Sequence, residues 1–295
     1  MFELFEVLKK TWNHPFNKNE PILGIWRFVR WQINNLLNPH PIVYQLTANS
    51  KLIIQKGMKG ATGNLYNGLL EFNDMLFVLH CLRPEDHFID LGANIGVYTV
   101  LASAEIGAAT LSIEPVPGVF ASLELNVAIN KIGSKVTLLN IAVGEKEEIL
   151  SFTSEQDTVN HVATQEEMKT DTVIEVKVLT LDSIIVNIPT VIKIDVEGYE
   201  TNVLKGAEKT IRNPALKAVI IELNGSGSRY GFDETAIHNQ FLQNGFQPYQ
   251  YDPINRNLIL LHAPHEHNTI YIRDVDFVRN RVSTARKIKV QNQVF

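Results

Sequence analysis

The stretch Phe88-Ile-Asp-Leu-Gly-Ala-Asn-Ile-Gly-Val-Tyr-Thr99 decides the fold of this 295-residue chain. An apolar lead-in, Phe88 and Ile89, ends in the carboxylate Asp90, and a turn punctuated by Gly92 and Gly96 follows. An apolar run with small residues, 97–106, comes next, and Gly107 closes it. Strand, tight turn and helix in that order open an α/β nucleotide-binding domain, where glycines let the chain turn sharply and let a ligand reach the main chain. A second apolar strand, 110–113, ends in Glu114, eighteen residues past Gly96. An acid at that distance is placed to accept hydrogen bonds from ribose hydroxyls. The glycine spacing is Gly92-x-x-x-Gly96, without the central glycine that gives a pyrophosphate room, and this weighs against a dinucleotide.

Outward from this stretch, strands and helices alternate, which predicts a mostly parallel sheet with helices on both faces. The pattern places strands at 136–143, 149–153, 176–181, 191–194, 218–223, 246–251 and 258–262. Helical stripes run through Phe120, Leu123 and Val127, through Leu204, Ala207 and Ile211, and through Ile237 and Phe241. Ahead of the glycine turn, 22–37 reads as an amphipathic helix and 44–55 as a hairpin. A glycine-rich link (Gly57, Gly60, Gly63) leads to a helix over 69–82, stopped by Arg83-Pro84. The expected organisation is an N-terminal helix and hairpin extension (1–82), an α/β domain (83–268) and a solvated or partner-docked basic tail (269–295).

A net charge of −5 and a pI near 6.0 give no broad basic field, so a nucleic-acid substrate is not expected. The single cysteine, Cys81, lies in an apolar run and reads as a small buried hydrophobe. With no leader-like start, it predicts a reducing, cytoplasmic setting. No run reaches the roughly 18–20 apolar residues of a membrane span. The helix over 22–37 carries Trp26, Val29, Ile33, Leu36 and Leu37 on one stripe beside Arg27 and Arg30. Two readings stand for it: docking on the catalytic domain or on a second subunit of a homo-oligomer, or weak contact with a membrane surface or a lipid-linked substrate.

Five blocks in order carry a resemblance: FIDLGANIGVYT (88–99), IEPVPGVFASLELNVAIN (113–130), NIAVGEKEEILSF (140–152), VLTLDSI (178–184) and IKIDVEGYETNVLKGA (192–207). The first resembles motif I of class I S-adenosylmethionine-dependent methyltransferases, and the set resembles the FkbM type. The resemblance implies a Rossmann-like class I α/β fold, with the hairpin and helix before the glycine turn closing over the cofactor. It also implies that Asp90, Gly92, Asn94 and Gly96, with Tyr98 and Thr99, lie against the methionine part of S-adenosylmethionine. Glu114 would take the ribose, Pro115 would lie near the adenine, and Asn140, Ala142 and Val143 would meet the adenine edge. Asn126 occupies the L-x-x-N position of the next helix and is expected to be a helix-surface amide.

Ligands of open α/β sheets bind at the carboxyl ends of the strands, which singles out Asp90, Glu114, Asp195 with Glu197, and Glu222 with Asn224. A pocket rimmed by carboxylates suits a cationic cofactor such as a sulfonium. Methyl transfer to a hydroxyl needs a base within reach or a metal that lowers the acceptor's pKa. Asp195 is the first candidate for base or metal ligand, Glu222 a second oxygen ligand for Mg²⁺, and His161 a base from the polar insertion 154–174. The expected activity is O-methylation of a sugar or secondary-metabolite hydroxyl, the acceptor being a small molecule or glycan. N-methylation of a small molecule, an NAD-binding oxidoreductase and a non-catalytic cofactor-binding module stay open as alternatives.

Overall fold

A computed structural model describes residues 2–38, 40–154, 159–170, 172–265 and 267–295. Its centre is an eight-stranded sheet, here numbered β1 (His87–Leu91), β2 (Ala109–Ile113), β3 (Val136–Leu139), β4 (Val191–Ile194), β5 (Ala218–Glu222), β6 (Gln247–Asp252), β7 (Asn257–Leu260) and β8 (Asn268–Ile272). The spatial order is 7-6-8-5-4-1-2-3. β3, β2, β1, β4 and β5 are mutually parallel, and β8 runs antiparallel between β5 and β6. Strands buried on both faces read as continuous apolar runs, and β5 does so up to Glu222. Along β1 and β4, Phe88 and Val191 enter the core on one face of the sheet, while Ile89, Leu91, Ile192 and Ile194 enter the core on the other.

Both terminal segments pack on the core of the central sheet. Phe16, Phe28, Trp31, Leu46 and Leu52 share one hydrophobic cluster with Phe88, Ile272 and Val278, so the N-terminal segment is packed into the domain's own core. The basic tail is not a tail. Asn268–Ile272 is an interior strand, Val275–Ser283 is a helix, and Phe295 packs edge-on against Phe72. Its charges mask an apolar set, with Val278, Val282, Ile288 and Val290 fully buried. The glycine-rich link is also ordered, forming the helix Lys59–Asn67. The predicted helix over 204–211 is instead two short ones, Glu200–Lys205 and Glu208–Arg212.

The hairpin forms as Ile42–Gln45 against Lys51–Ile54. The insertion is a small three-stranded sheet beside the main one, in which Glu148–Thr153 pairs antiparallel with Val173–Leu179, and Val178 and Leu179 pair with Ala142 and Val143. Of the expected polar stretch 154–174, residues 155–158 and 171 lie outside the described residues. Among the described residues, no helix is long and apolar enough to cross a membrane.

Candidate active site

The chain leaves β1 toward β2 and β3 on one side and returns to β4 on the other, so the carboxyl ends of β1 and β4 flank the point where the strand order reverses. Such switch points are where open α/β sheets bind ligands. The two strand ends touch here. Gly92 has φ +73°, and a Cβ on it would run into the Asp195 carbonyl oxygen, so only glycine fits. A cavity of about 440 Å³ opens at this point, within the usual size range of small-molecule sites.

One half of the cavity is the glycine turn. The Gly92 and Ala93 amides donate to the Ile113 carbonyl at 3.0 and 2.9 Å, stitching the turn to the end of β2. Asn94 sits in left-handed conformation (φ +50°), uncommon for a residue with a side chain, and its own carboxamide steadies the turn by accepting from the Ile95 amide at 2.8 Å. Glu114 accepts from the Asn94 and Val116 amides at 2.9 and 3.0 Å, one bond to each oxygen. The carboxylate is thereby aimed while each oxygen keeps a lone pair for a hydroxyl. Burial pushes Glu114 up to about 7 and Asp90 up to about 6. Both are acids whose charged form a bound cation would favour.

Three residues expected at the cofactor, Gly96, Thr99 and Asn140, are not among those lining the cavity. Thr99 does not line the cavity. Its hydroxyl meets Asp90 at 2.7 Å and Ser112 at 2.7 Å, bracing Asp90 from below. Asn140 turns away and donates to the Glu114 and Pro115 carbonyls, holding that turn, while Ile141, Ala142 and Val143 form the wall. Asn126 is not a surface amide. It is buried, donates to the Ile95 carbonyl at 2.8 Å and accepts from the Ile53 amide at 2.7 Å. It therefore ties the N-terminal hairpin to the glycine turn.

The other half is densely charged. Lys193, 3% exposed on β4, lines the cavity and bonds Asp195 Oδ2 at 2.6 Å. Asp195, Glu71 and Asp90 around it keep the ammonium charged despite burial. Lys193 in turn holds Asp195 below the usual carboxylate range, against the opposing effect of burial. Glu222 is pushed up to about 8 by burial and by Asp195 beside it, and Glu197 up to about 7. Burial and the Glu71 and Asp74 carboxylates hold the Tyr98 phenol well above its ordinary range, so it stays protonated.

The oxygens of Asp195, Glu197 and Glu222 lie within 4.8 Å of one another, a set that could hold a divalent cation. Lys193 already occupies that ground, so Mg²⁺ would have to share Asp195 with an ammonium. His161 does not fit the role of base. It is buried off the cavity, its Nδ1 on the Val159 carbonyl at 2.7 Å and its Nε2 on Glu167 at 3.0 Å. Its position is explained by the small sheet, whose turn it staples. Lys193, Glu71 and Asp74 were missed by the sequence reading. Lys193 had a signal, as the one charge inside the apolar run Val191-Ile-Lys-Ile194.

The FkbM methyltransferase domain family matches this chain over residues 90–248. No curated protein matches it. Among solved structures, an FkbM methyltransferase from Methylobacillus flagellatus aligns at 18% identity and a TM-score of 0.47, over 72% of this chain and 55% of that one. This chain thus spans just over half the length of that relative. A precorrin-6y C5,15-methyltransferase from Geobacter metallireducens aligns at 12% identity and a TM-score of 0.42, over 77% of this chain and 97% of its own.

Proposed function

The chain belongs to the FkbM methyltransferase domain family, and on that premise we propose that it transfers a methyl group from S-adenosylmethionine to a hydroxyl of a sugar or secondary metabolite. When bound, the cofactor supplies a methyl group on a sulfonium, an electrophile with a good leaving group. Asp90 and the turn from Gly92 to Gly96 would hold its methionine part, Glu114 its ribose, and Ile141 to Val143 would wall its adenine. The fit rests on charge and shape: an acid-rimmed cavity suits a cation, and Gly92 keeps the rim clear of side chain.

The observation that carries the hydroxyl reading is the row Lys193, Asp195 and Glu222 at the ends of β4 and β5, on the acceptor side of the cavity. As the acceptor oxygen bonds to carbon, its proton must leave. Glu222, with a pKa near working pH, is matched to take it. Lys193 stabilises the negative charge that gathers on the oxygen, and Asp195 keeps the ammonium aimed. Asp195 itself is a weak base, because the Lys193 ammonium on its Oδ2 holds it below the usual carboxylate range. In this reading the chain's own cation does the work otherwise asked of Mg²⁺. The family match supports methyl transfer over the oxidoreductase alternative.

The test is methyl transfer to a panel of sugars and hydroxylated small molecules, run against pH with and without EDTA. The rate is expected to rise through about pH 8, as Glu222 ionises, and to ignore the chelator. Glu222→Gln should cost roughly 10²-fold or more, the scale of a lost general base. Activity abolished by EDTA and restored by Mg²⁺ would assign Asp195, Glu197 and Glu222 to a metal instead.

A further inference from the structure

The helix Pro21–Leu37 has two apolar faces, and the fold uses one of them. Gly24, Phe28 and Trp31 are buried toward the domain. On the opposite side Ile22, Trp26, Val29, Ile33, Leu36 and Leu37 form one continuous helical stripe and are exposed by 38 to 82%. The helix Phe2–Asn13 packs beside it and adds exposed Phe5 (65%) and Trp12 (49%). Scattered exposed apolar residues need no account, but a contiguous strip of large ones across two helices does.

Its charge says what covers it. Residues 1–38 carry five basic side chains against three acidic, in a chain whose totals are 27 against 32. The helix Pro21–Leu37 has Arg27 and Arg30 and no acid at all, and in this segment Lys9, Lys10, Lys18 and Arg30 are exposed against exposed Glu6 and Glu20. A second copy of the chain would set these cations against one another. An anionic bilayer surface would meet them with lipid phosphates, while the apolar strip enters the acyl boundary and the two tryptophans sit at headgroup level. We infer that these two helices dock the enzyme in plane on an anionic membrane. The helix Lys59–Asn67, which packs against Pro21–Leu37, also contributes Gly60 and Asn64 to the cavity wall, so docking would bring the site close to the lipid surface.

The inference is independent of the methyl-transfer reading and is tested on the full chain with sucrose-loaded vesicles. Vesicles of 30% phosphatidylglycerol in phosphatidylcholine should sediment the protein, and pure phosphatidylcholine should do so at least tenfold less well. Raising salt should release it, and tryptophan emission should shift to the blue on binding. The triple variant Trp26→Ser/Leu36→Ser/Leu37→Ser changes only exposed positions. It should keep the wild-type circular dichroism and melting temperature yet lose vesicle binding tenfold or more. No sedimentation with either vesicle, or sedimentation unaltered by the triple variant, would overturn the inference. So would a concentration-dependent dimer that the same variant dissolves without any lipid binding by the wild type.

Discussion

Lys193→Met removes a buried ammonium from a cavity crowded with acids, and the cost can be worked from the structure. At 2.6 Å the Lys193–Asp195 attraction is about 6 kcal/mol at an effective dielectric of about 20. Desolvation of both groups offsets much of that, so the useful figure is the penalty for stranding the partner, about 3–5 kcal/mol. Asp195 retains some access to solvent, its side chain being 26% exposed, and can take up a proton, which places the variant toward the lower end. Urea unfolding followed by circular dichroism should therefore show a loss of about 3 kcal/mol at pH 7. Lys193→Met/Asp195→Asn removes both members of the bonded pair and should recover most of the loss, because removing both is far cheaper than removing one. A single variant within 1 kcal/mol of wild type, or a double variant as unstable as the single, would refute the idea that the pair is a coupled unit.

The apoprotein should lose stability as pH rises. Asp90, Glu114, Glu197 and Glu222 all have folded pKa values raised above their unfolded ones, so their contribution is fully present below about pH 4.5 and fades as pH climbs through 6 to 8. Melting temperature should fall from pH 6 to 8.5, and a flat profile would contradict the burial of these acids. Asn126→Ala strands the Ile53 amide and frees the Ile95 carbonyl. It should cost about 1–3 kcal/mol by urea unfolding and raise hydrogen exchange in the 42–54 hairpin, whereas a neutral result would detach that hairpin from the glycine turn. His161→Gln should leave transfer within a few-fold of wild type, and a hundredfold loss in turnover would return that residue to the chemistry.

The parallel core was legible because each of its strands is a short apolar run bounded by turn residues, and because β1, Gly92 and Glu114 fall at spacings set by the backbone itself. The pocket's floor followed from the rule that ligands sit at strand ends. What was hidden depended on which way side chains turn and on partners brought together only by the fold. Thr99 and Asn140 have the polarity of ligand contacts, and only the fold shows that they turn behind Asp90 and Glu114. Glu71 and Asp74 look like first-turn acids of a helix until the N-terminal segment folds over the cavity and brings them to Lys193 and Tyr98. The C-terminal strand 268–272 was hidden because only its last three residues, Ile270, Tyr271 and Ile272, form an apolar run, too short to mark a strand.

The central claim is that the turn from Gly92 to Gly96, with Glu114, holds S-adenosylmethionine. Isothermal calorimetry of the purified chain with S-adenosylmethionine, with NAD and with the Glu114→Ala variant tests it most directly. The account predicts saturable binding of S-adenosylmethionine, none of NAD, and a loss of about 1–3 kcal/mol in the variant, since charge-assisted hydrogen bonds are the strong ones. Preference for NAD, or an affinity that Glu114→Ala leaves unchanged, would contradict it.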